Sequence, residues 1–471
     1  MSFISAEGLD ILPRGHFPCE KGVKKYKRDW KNPSECAILY KLQYIQKEMT
    51  DILDRKQISD GIFFSRITDG RFKTNRISIT FYNEFSGDGR ADFAILPYIL
   101  TDSCRRYPNL TRLTEKYSDL YGASVSDNLG CSWDRRSMTF TISSIDDRYT
   151  LYSEQLEEEC CTLLLDCLLD PVTENGVFPA SSVGIMQQEL TDAIESVKGD
   201  PRSYAAQQGA MAAFEGEPCG LPVNGTVEQA RAVTPQSAYA AYRDLLEHSR
   251  IEIFCSGCSD FSVSERVFTE RLGTLTRSDI CTLAPTSSPL KEVICRKAEK
   301  HDTQQAILRM YFKAPQLTDR YAGAILSMIL GGMTTSRFFT NIREKQSLCY
   351  YCSSFSNRFK KTITVYAGVE PANLAKTEHA VMSEFMNVCM RGVTEEELEH
   401  AKLELAESAR AVYDSPSALS AWYSSQVTDP VILTPEEFAE GAQQVTAQQV
   451  MNAARMYALD TVFTMSSEEV Q

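Results

Sequence analysis

The chain has 471 residues and a mass of 52.9 kDa, which is too long for one ordinary hydrophobic core and predicts two or more domains. Its net charge of −14 and pI near 5.1 argue against a nucleic-acid partner, because phosphates would be repelled. No apolar run approaches about 18 residues, and the N-terminus lacks a signal-peptide pattern. We therefore expect no membrane span and a cytoplasmic location.

Residues 1–58 are predicted to be an N-terminal extension, and the sequence does not indicate what it does. It holds a basic cluster between Lys21 and Lys31, which is typical of a solvated tail, and one helix over Ala37 to Leu53. We predict a first domain over 59–274, a polar Pro/Ser-rich linker over 275–290 and a second domain over 291–471.

The first predicted domain begins with two strands that alternate in hydrophobicity with period two. They flank a Thr-Asp-Gly-Arg turn, which predicts a hairpin. A capping threonine, Thr234, predicts the start of the last long helix. In chain order the predicted elements are strands at 61–67 and 75–82, helices at 92–100 and 110–120, a strand at 138–143, helices at 151–169, 184–197 and 235–248, and a strand at 250–255.

The second predicted domain follows the same plan. Strands are predicted at 305–312 and 362–367, and a closing strand at 461–465. Helices are predicted at 374–390, 395–413 and 418–426. Each domain is therefore predicted to be α+β, with a largely antiparallel sheet and helices packed on one face.

Internal matches indicate that the second domain repeats the first. Four short matches occur in the same order, and their offsets drift only from 230 to 212 residues. A single match would be noise, whereas four in register predict a duplicated domain of about 200 residues. The matches are Ala94–Leu100 with Ala324–Leu330, Thr111–Leu113 with Ser336–Phe338, Glu189–Leu190 with Glu404–Leu405, and Thr234 with Thr446.

The cysteines and histidines do not form a recognisable metal or nucleophile motif. Two Cys-x-x-Cys pairs, Cys255/Cys258 and Cys349/Cys352, are too far apart for a zinc ribbon. Both pairs lie in strand-like runs, where residues i and i+3 should point to opposite faces, so a structural role is favoured over a metal or redox role. The five histidines have no two members at zinc-binding spacing on a helix, and we expect no metal site or cofactor.

The most informative segment is 336–351, in which a short amphipathic helix carries Arg343 and a strand starts near Tyr350. A guanidinium and a phenol are both hydrogen-bond donors, and together they suit the binding and polarisation of a peptide carbonyl. The alternative is a purely structural role, in which Arg343 pairs with Glu344 and Tyr350 packs in the core.

These features resemble the insulinase/pitrilysin-type zinc peptidases, the inverzincins. The segment Ile342-Arg-Glu-Lys-Gln-Ser-Leu-Cys-Tyr350 is similar to that family's Arg-Glu-Lys-x-x-Leu-x-Tyr, and Thr68–Asn75, Arg106–Pro108 and Leu120–Ala123 resemble a bacterial branch of non-metal subunits. The resemblance runs from about residue 59 to the C-terminus. It implies tandem α+β domains, with Arg343 and Tyr350 reaching the scissile carbonyl.

The chain departs from that family at the metal motif. Active members carry His-x-x-Glu-His on the first helix of the first domain. The resemblance places these positions here at Ala94-Ile-Leu-Pro97-Tyr98, and it places the family's third ligand at Glu189. One carboxylate cannot hold zinc, so the resemblance implies a chain without its own metal.

We therefore predict a non-catalytic, zinc-free subunit of a heterodimeric metallopeptidase that takes part in peptide processing. A partner chain with His-x-x-Glu-His would carry the zinc. Arg343 and Tyr350 would stabilise the substrate oxyanion, and we also expect Gly331, Gly332 and Arg337 to contribute to peptide binding. Two alternatives stay open, a scaffold of the same fold with no peptidase role and an enzyme that uses an unrelated group such as a cysteine thiolate.

Overall fold

The computed structural model describes residues 53–87 and 89–467, and two mixed β-sheets organise them. The first sheet has six strands in the order β1-β2-β6-β3-β5-β4. All neighbours are antiparallel except β2 and β6, which are parallel. The strands are β1 Leu53–Ser59, β2 Ile62–Thr68, β3 Thr74–Glu84, β4 Val125–Ser132, β5 Arg135–Ile145 and β6 Arg250–Gly257.

The second sheet repeats this plan with five strands in the order β7-β11-β8-β10-β9. Its one parallel pair is β7 and β11, which corresponds to β2 and β6. Strand β1 has no counterpart. The strands are β7 Cys295–Lys300, β8 Ala306–Lys313, β9 Cys349–Asn357, β10 Thr362–Val369 and β11 Ala458–Ser466.

Helices cover both sheets. Those of the first half, which holds β1–β6, are α1 Arg90–Ala94, α2 Leu96–Asp102, α3 Leu110–Asp119, α4 Leu156–Leu169, α5 Ala180–Ser196, α6 Pro201–Ala213, α7 Val227–Ala232, α8 Pro235–His248 and α9 Ser262–Leu272. The second half, which holds β7–β11, has α10 Ala322–Ser327, α11 Leu374–Arg391, α12 Glu395–Arg410, α13 Pro416–Ser424, α14 Pro435–Gln443 and α15 Ala447–Met456. It also has two π-helical segments, Met328–Gly332 and Phe338–Lys345.

Separate hydrophobic cores lie between each sheet and the helices of its own half. Ile77, Phe81 and Phe140 belong to the first core, and Phe312 and Val365 belong to the second. Thr234 and Thr446 cap α8 and α15 through reciprocal side-chain bonds to the third helical residue. The predicted α+β class with two like domains is confirmed.

One helix from each half packs against the sheet of the other half. Helix α6 contacts β8 and β11, and its Arg202 guanidinium lies 4.6 Å from the ring centroid of Tyr351 on β9. Helix α13 contacts β3 and β6, where the Ser256 hydroxyl lies 2.8 Å from the Ser420 hydroxyl. Pro201 and Pro416, the first residues of these helices, stand at the 215-residue offset found in the sequence. Each repeated unit therefore packs the equivalent helix against the sheet of the other unit.

Two sequence predictions about the strands are wrong. Strands β2 and β3 do not form a hairpin, because β6 lies between them and pairs with both. Strand β11 separates β7 from β8 in the same way. The expected N-terminal extension also overlaps the first sheet, since residues 53–58 belong to β1 and pair with β2. The rest of that extension, including the helix predicted over Ala37 to Leu53 up to residue 52, lies outside the described residues.

Helix boundaries differ from the predictions mainly where proline or a turn intervenes. The helix predicted at 92–100 is two short helices, α1 and α2, with Pro97 in the first turn of α2. The helix predicted at 151–169 begins only at Leu156. The linker predicted over 275–290 contains neither helix nor strand. Across residues 53–467, no helix has the length and apolarity that crossing a bilayer requires.

Candidate functional site

Arg343 lies near the end of the π-helical segment Phe338–Lys345, immediately before β9. The segment ends in a tight turn, in which the Ser347 amide donates to the Arg343 carbonyl and the Leu348 amide donates to the Ile342 carbonyl. Ser347 adopts φ 51°, the left-handed conformation that such a turn requires. This turn sets the direction in which the chain enters β9.

Tyr350 lies on a β-bulge at the start of β9. Val369 of β10 pairs with Cys349, whereas Gly368 pairs with Tyr351, so Tyr350 has no partner across the ladder. A bulge of this kind changes the direction of a side chain and is common beside active sites. Tyr350 is accordingly 52% exposed, although it belongs to a strand of the second sheet.

Arg343 and Tyr350 line one cleft of about 390 Å³, and all its lining residues belong to the second half. The side chain of Arg343 is 41% exposed, its guanidinium carbon lies 4.7 Å from the Phe339 ring centroid, and its Nε is 3.7 Å from Glu344 Oε1. The exposed Tyr350 side chain borders the same cleft. The cleft is lined by Arg343, Glu344, Ser347, Leu348, Cys349, Tyr350, Glu370 and Asn373.

Two donors that face the same open cleft can together bind a carbonyl or carboxylate oxygen. The Arg343 guanidinium stays charged at physiological pH, and its stacking on Phe339 restricts its position. The Tyr350 phenol adds a neutral donor. Exposure of Tyr350 does not agree with the alternative in which this tyrosine packs in the core.

The other residues predicted to bind peptide, Gly331, Gly332 and Arg337, are not among the residues that line this cleft. Arg337 forms a two-bond ion pair with Glu397 of α12, at 2.7 and 2.8 Å. Gly331 is buried, and a Cβ there would come within 2.7 Å of the Ser354 amide nitrogen. Gly332 is exposed at the end of the π-helical segment Met328–Gly332. Gly331 therefore lets the chain pass close to β9, and Arg337 is tied to α12 by its ion pair.

The segment Ala94–Tyr98, where the resemblance places a metal motif, does not fit zinc. Alanine and proline offer no ligand atom, and Ala94 is buried. Burial raises the pKa of Tyr98, and the nearby carboxylates of Asp127 and Glu189 raise it further. Glu189 thus lies near the motif positions, as the resemblance implied, but its neighbours there are a phenol and a second carboxylate.

The structure contains a second polar cluster that the sequence did not predict. Asp134, Glu217 and Cys219 are the one group of three potential metal ligands found within the described residues. The Lys360 ammonium already lies between the two carboxylates, 2.6 Å from Asp134 and 2.8 Å from Glu217. The cluster is therefore a buried ion-pair network that joins the two halves. No local sequence signal marks it, since Asp134 and Lys360 are 226 positions apart.

The structure corrects the prediction for one Cys-x-x-Cys pair. Cys349 and Cys352 lie on the same buried face of β9, because the bulge shifts the alternation by one residue. The prediction that residues i and i+3 point to opposite faces holds only for an unbroken strand. In the other pair, Cys255 is fully buried inside β6, whereas Cys258 follows the end of β6 and is half-buried.

Comparison with known proteins agrees with this architecture. Residues 232–405 match the family model of the peptidase M16 inactive domain. A probable inactive metalloprotease of Bacillus subtilis, YmfF, is 23% identical over 428 residues, which cover 89% of this chain and 99% of the relative. The chain is a homologue of the M16 peptidases. The insulinase-type resemblance inferred from the Arg/Tyr segment is confirmed.

One further sequence relative and two solved structures are also similar to this M16 homologue. An uncharacterized zinc protease of Streptomyces coelicolor is 26% identical over 265 residues, covering 54% of this chain and 57% of the relative. A conserved protein from Enterococcus faecalis has the same fold, with a TM-score of 0.80, 23% identity and coverage of 89% and 100%. The M16 inactive domain protein from Pseudomonas fluorescens aligns with a TM-score of 0.74 and 16% identity, covering 89% of this chain and 99% of that one.

Proposed function

We propose that this M16 homologue is the zinc-free subunit of a two-chain metallopeptidase, in which Arg343 and Tyr350 bind the carbonyl of a peptide substrate. The observation that carries the proposal is the cleft in which both side chains are exposed together. If either side chain were buried, the two could not both bind a substrate oxygen, whatever the seven-residue spacing between Arg343 and Tyr350. The lack of ligand atoms at Ala94 and Pro97 supports a division in which a partner chain supplies the zinc.

The chemistry of these two donors suits a transition state better than a ground state. The oxygen of a carbonyl under attack gains negative charge, and a fixed guanidinium stabilises that charge more than it stabilises the neutral carbonyl. Tyr350 adds a second donor without adding charge. The binding roles predicted for Gly331, Gly332 and Arg337 remain predictions.

The proposal is tested with the purified chain and a zinc peptidase chain of the same host that carries His-x-x-Glu-His. The isolated chain should cleave no peptide, and the mixture should be active. Arg343→Ala should then lower kcat/KM by about 10²-fold or more, and Tyr350→Phe should lower it in the same direction. Arg410→Ala is the matched control, because Arg410 is a surface arginine that pairs only with Glu407 of its own helix.

The outcome also separates the proposal from the scaffold alternative. If both variants assemble with the partner and retain full turnover, Arg343 and Tyr350 are not used and a scaffold role is supported. Arg343→Lys adds a finer test, since lysine keeps the charge but loses the planar two-bond fork. An activity between those of wild type and Arg343→Ala is expected.

A further inference from the structure

The bulge that exposes Tyr350 also brings two thiols together. Residues directly opposite each other in an antiparallel pair share one face of the sheet. Cys349 is opposite Val369 and Cys352 is opposite Ala367, and Val369 and Ala367 are two residues apart on β10. Cys349 and Cys352 therefore lie side by side beneath the exposed Tyr350.

These two thiols are hydrogen-bonded to each other but differ in their access to the cleft. Cys352 is 4% exposed and lies inside the second core, whereas Cys349 is 8% exposed and lines the cleft beside Arg343. The hydrogen bond from Cys352 lowers the pKa of Cys349 against the effect of burial, and the charge of Arg343 lowers it further. The same hydrogen bond and burial raise the pKa of Cys352. Cys349 is thus the better nucleophile of the two.

A second thiol pair in the chain provides an internal comparison. Cys104 and Cys167 are also hydrogen-bonded, and the bond from Cys167 lowers the pKa of Cys104 to about 7. Both side chains are 0% exposed in the first core. The two pairs therefore share their thiol chemistry and differ in access to solvent.

We propose that Cys349 and Cys352 are a modification site for small hydroperoxides and form a reversible disulfide beneath Tyr350. The Cys349 thiolate attacks one peroxide oxygen, the O–O bond breaks, and Cys349 becomes a sulfenic acid as hydroxide leaves. The sulfur of Cys352 then attacks the sulfur of Cys349, and the sulfenic hydroxyl leaves as water. With hydrogen peroxide, the two thiols are oxidised and the peroxide is reduced to two waters, whereas an organic hydroperoxide gives one alcohol and one water. A dithiol reductant reverses the reaction.

Closure of this disulfide would alter the bulge. A disulfide holds its two Cα atoms within about 4.4–6.8 Å, and Tyr350 lies in the segment that the bond would enclose. Oxidation is therefore expected to move Tyr350 and to change its exposure. The thiol chemistry itself does not depend on the proposed function, because it holds whether or not a peptide binds in the cleft.

The test uses the full chain, reduced, freed of reductant and exposed to hydrogen peroxide. Free thiols are then alkylated and the peptides are analysed by mass spectrometry. The peptide that contains Cys349 and Cys352 should lose two hydrogens, and dithiothreitol should restore them. Cys104 and Cys167 should stay reduced while the circular dichroism spectrum is native, and should react at least about tenfold more slowly.

Two variants decide whether the cysteines act as a pair. Cys352→Ser should leave Cys349 as a sulfenic acid that dimedone traps, whereas Cys167→Ser should not alter the reaction at Cys349. The proposal is overturned if Cys349 and Cys352 react no faster than Cys104 and Cys167, or if Cys349 forms no disulfide with Cys352. Cys352→Ser should no longer form the disulfide when peroxide is added. If peptide cleavage by its reduced complex is unchanged, the proposed function is unaffected by that loss.

Discussion

The two halves share one topology, yet their equivalent hairpins carry different residues where they meet. The β4–β5 hairpin ends in Trp133 and Asp134, and the β9–β10 hairpin ends in a turn that includes Phe359 and Lys360. The Trp133 and Phe359 rings are 5.6 Å apart in an edge-to-face arrangement, and Lys360 Nζ lies 2.6 Å from the Asp134 carboxylate. If the two halves were identical, the same charged residue would lie at both hairpin tips and the two charges would repel each other. The repeats have therefore become complementary at their contact.

The same comparison applies at the helices that precede these hairpins. In the first half, Ala94 and Pro97 of the corresponding segment are buried and offer no ligand atom. In the second half, the equivalent region leads to the exposed pair Arg343 and Tyr350. One copy has kept a structural role in this region, whereas the other presents donors to a cleft.

Removal of the Lys360 ammonium is expected to have the largest effect on stability. Lys360→Met would leave the Asp134 carboxylate at the junction without its cation and Glu217 with Lys313 Nζ at 3.8 Å, and Asp134 and Lys360 are only 6% and 5% exposed. Breaking a buried pair from one side typically lowers the free energy of unfolding by about 3–5 kcal/mol. Urea unfolding measures the loss. Lys297→Met is the control, since Lys297 makes one long exposed contact. A loss no larger than that of the control would show that the halves do not depend on this pair.

Acid should weaken the same junction by a smaller amount. Burial acts to raise the pKa of Asp134, but hydrogen bonds from Lys360 and Thr286 outweigh it, and the pKa lies below its usual 3.8. A lowered pKa stabilises the folded state above pH 3.8, and that contribution is lost as the pH falls through the folded value. The pKa of Lys360 is raised above 10.5 by the same pairing, which overcomes burial, so its contribution persists throughout the neutral range and is lost only at alkaline pH.

Urea titrations at pH 7, 5 and 3 test this dependence. Wild type should lose stability mainly below about pH 4. Asp134→Asn should start less stable and should lose less between pH 5 and 3, because its amide does not titrate. Parallel curves for the two proteins would contradict the assignment of acid sensitivity to this junction.

Local patterns in the sequence were enough to predict the repeat and the helix caps, and they failed where distant residues decide the structure. Thr234 and Thr446 cap their helices as expected, since capping depends on residues within one turn. The prediction of a β2–β3 hairpin was wrong because β6, more than 160 positions after β3, lies between these two strands and pairs with both. Alternation also cannot reveal a bulge, and this is why the two thiols of Cys349 and Cys352 were expected to point apart.

The smallest expected effect concerns the turn that leads into the cleft. Ser347 holds φ 51°, a conformation that costs a residue with a Cβ about 1 kcal/mol and costs glycine little. Ser347→Gly should therefore raise the free energy of unfolding by about 0.5–1 kcal/mol, whereas Ser347→Ala should give no gain. Urea unfolding of both variants measures the difference. A loss of stability in Ser347→Gly would mean that the serine side chain itself supports the turn, and the second half would then hold its donor pair by more than backbone geometry.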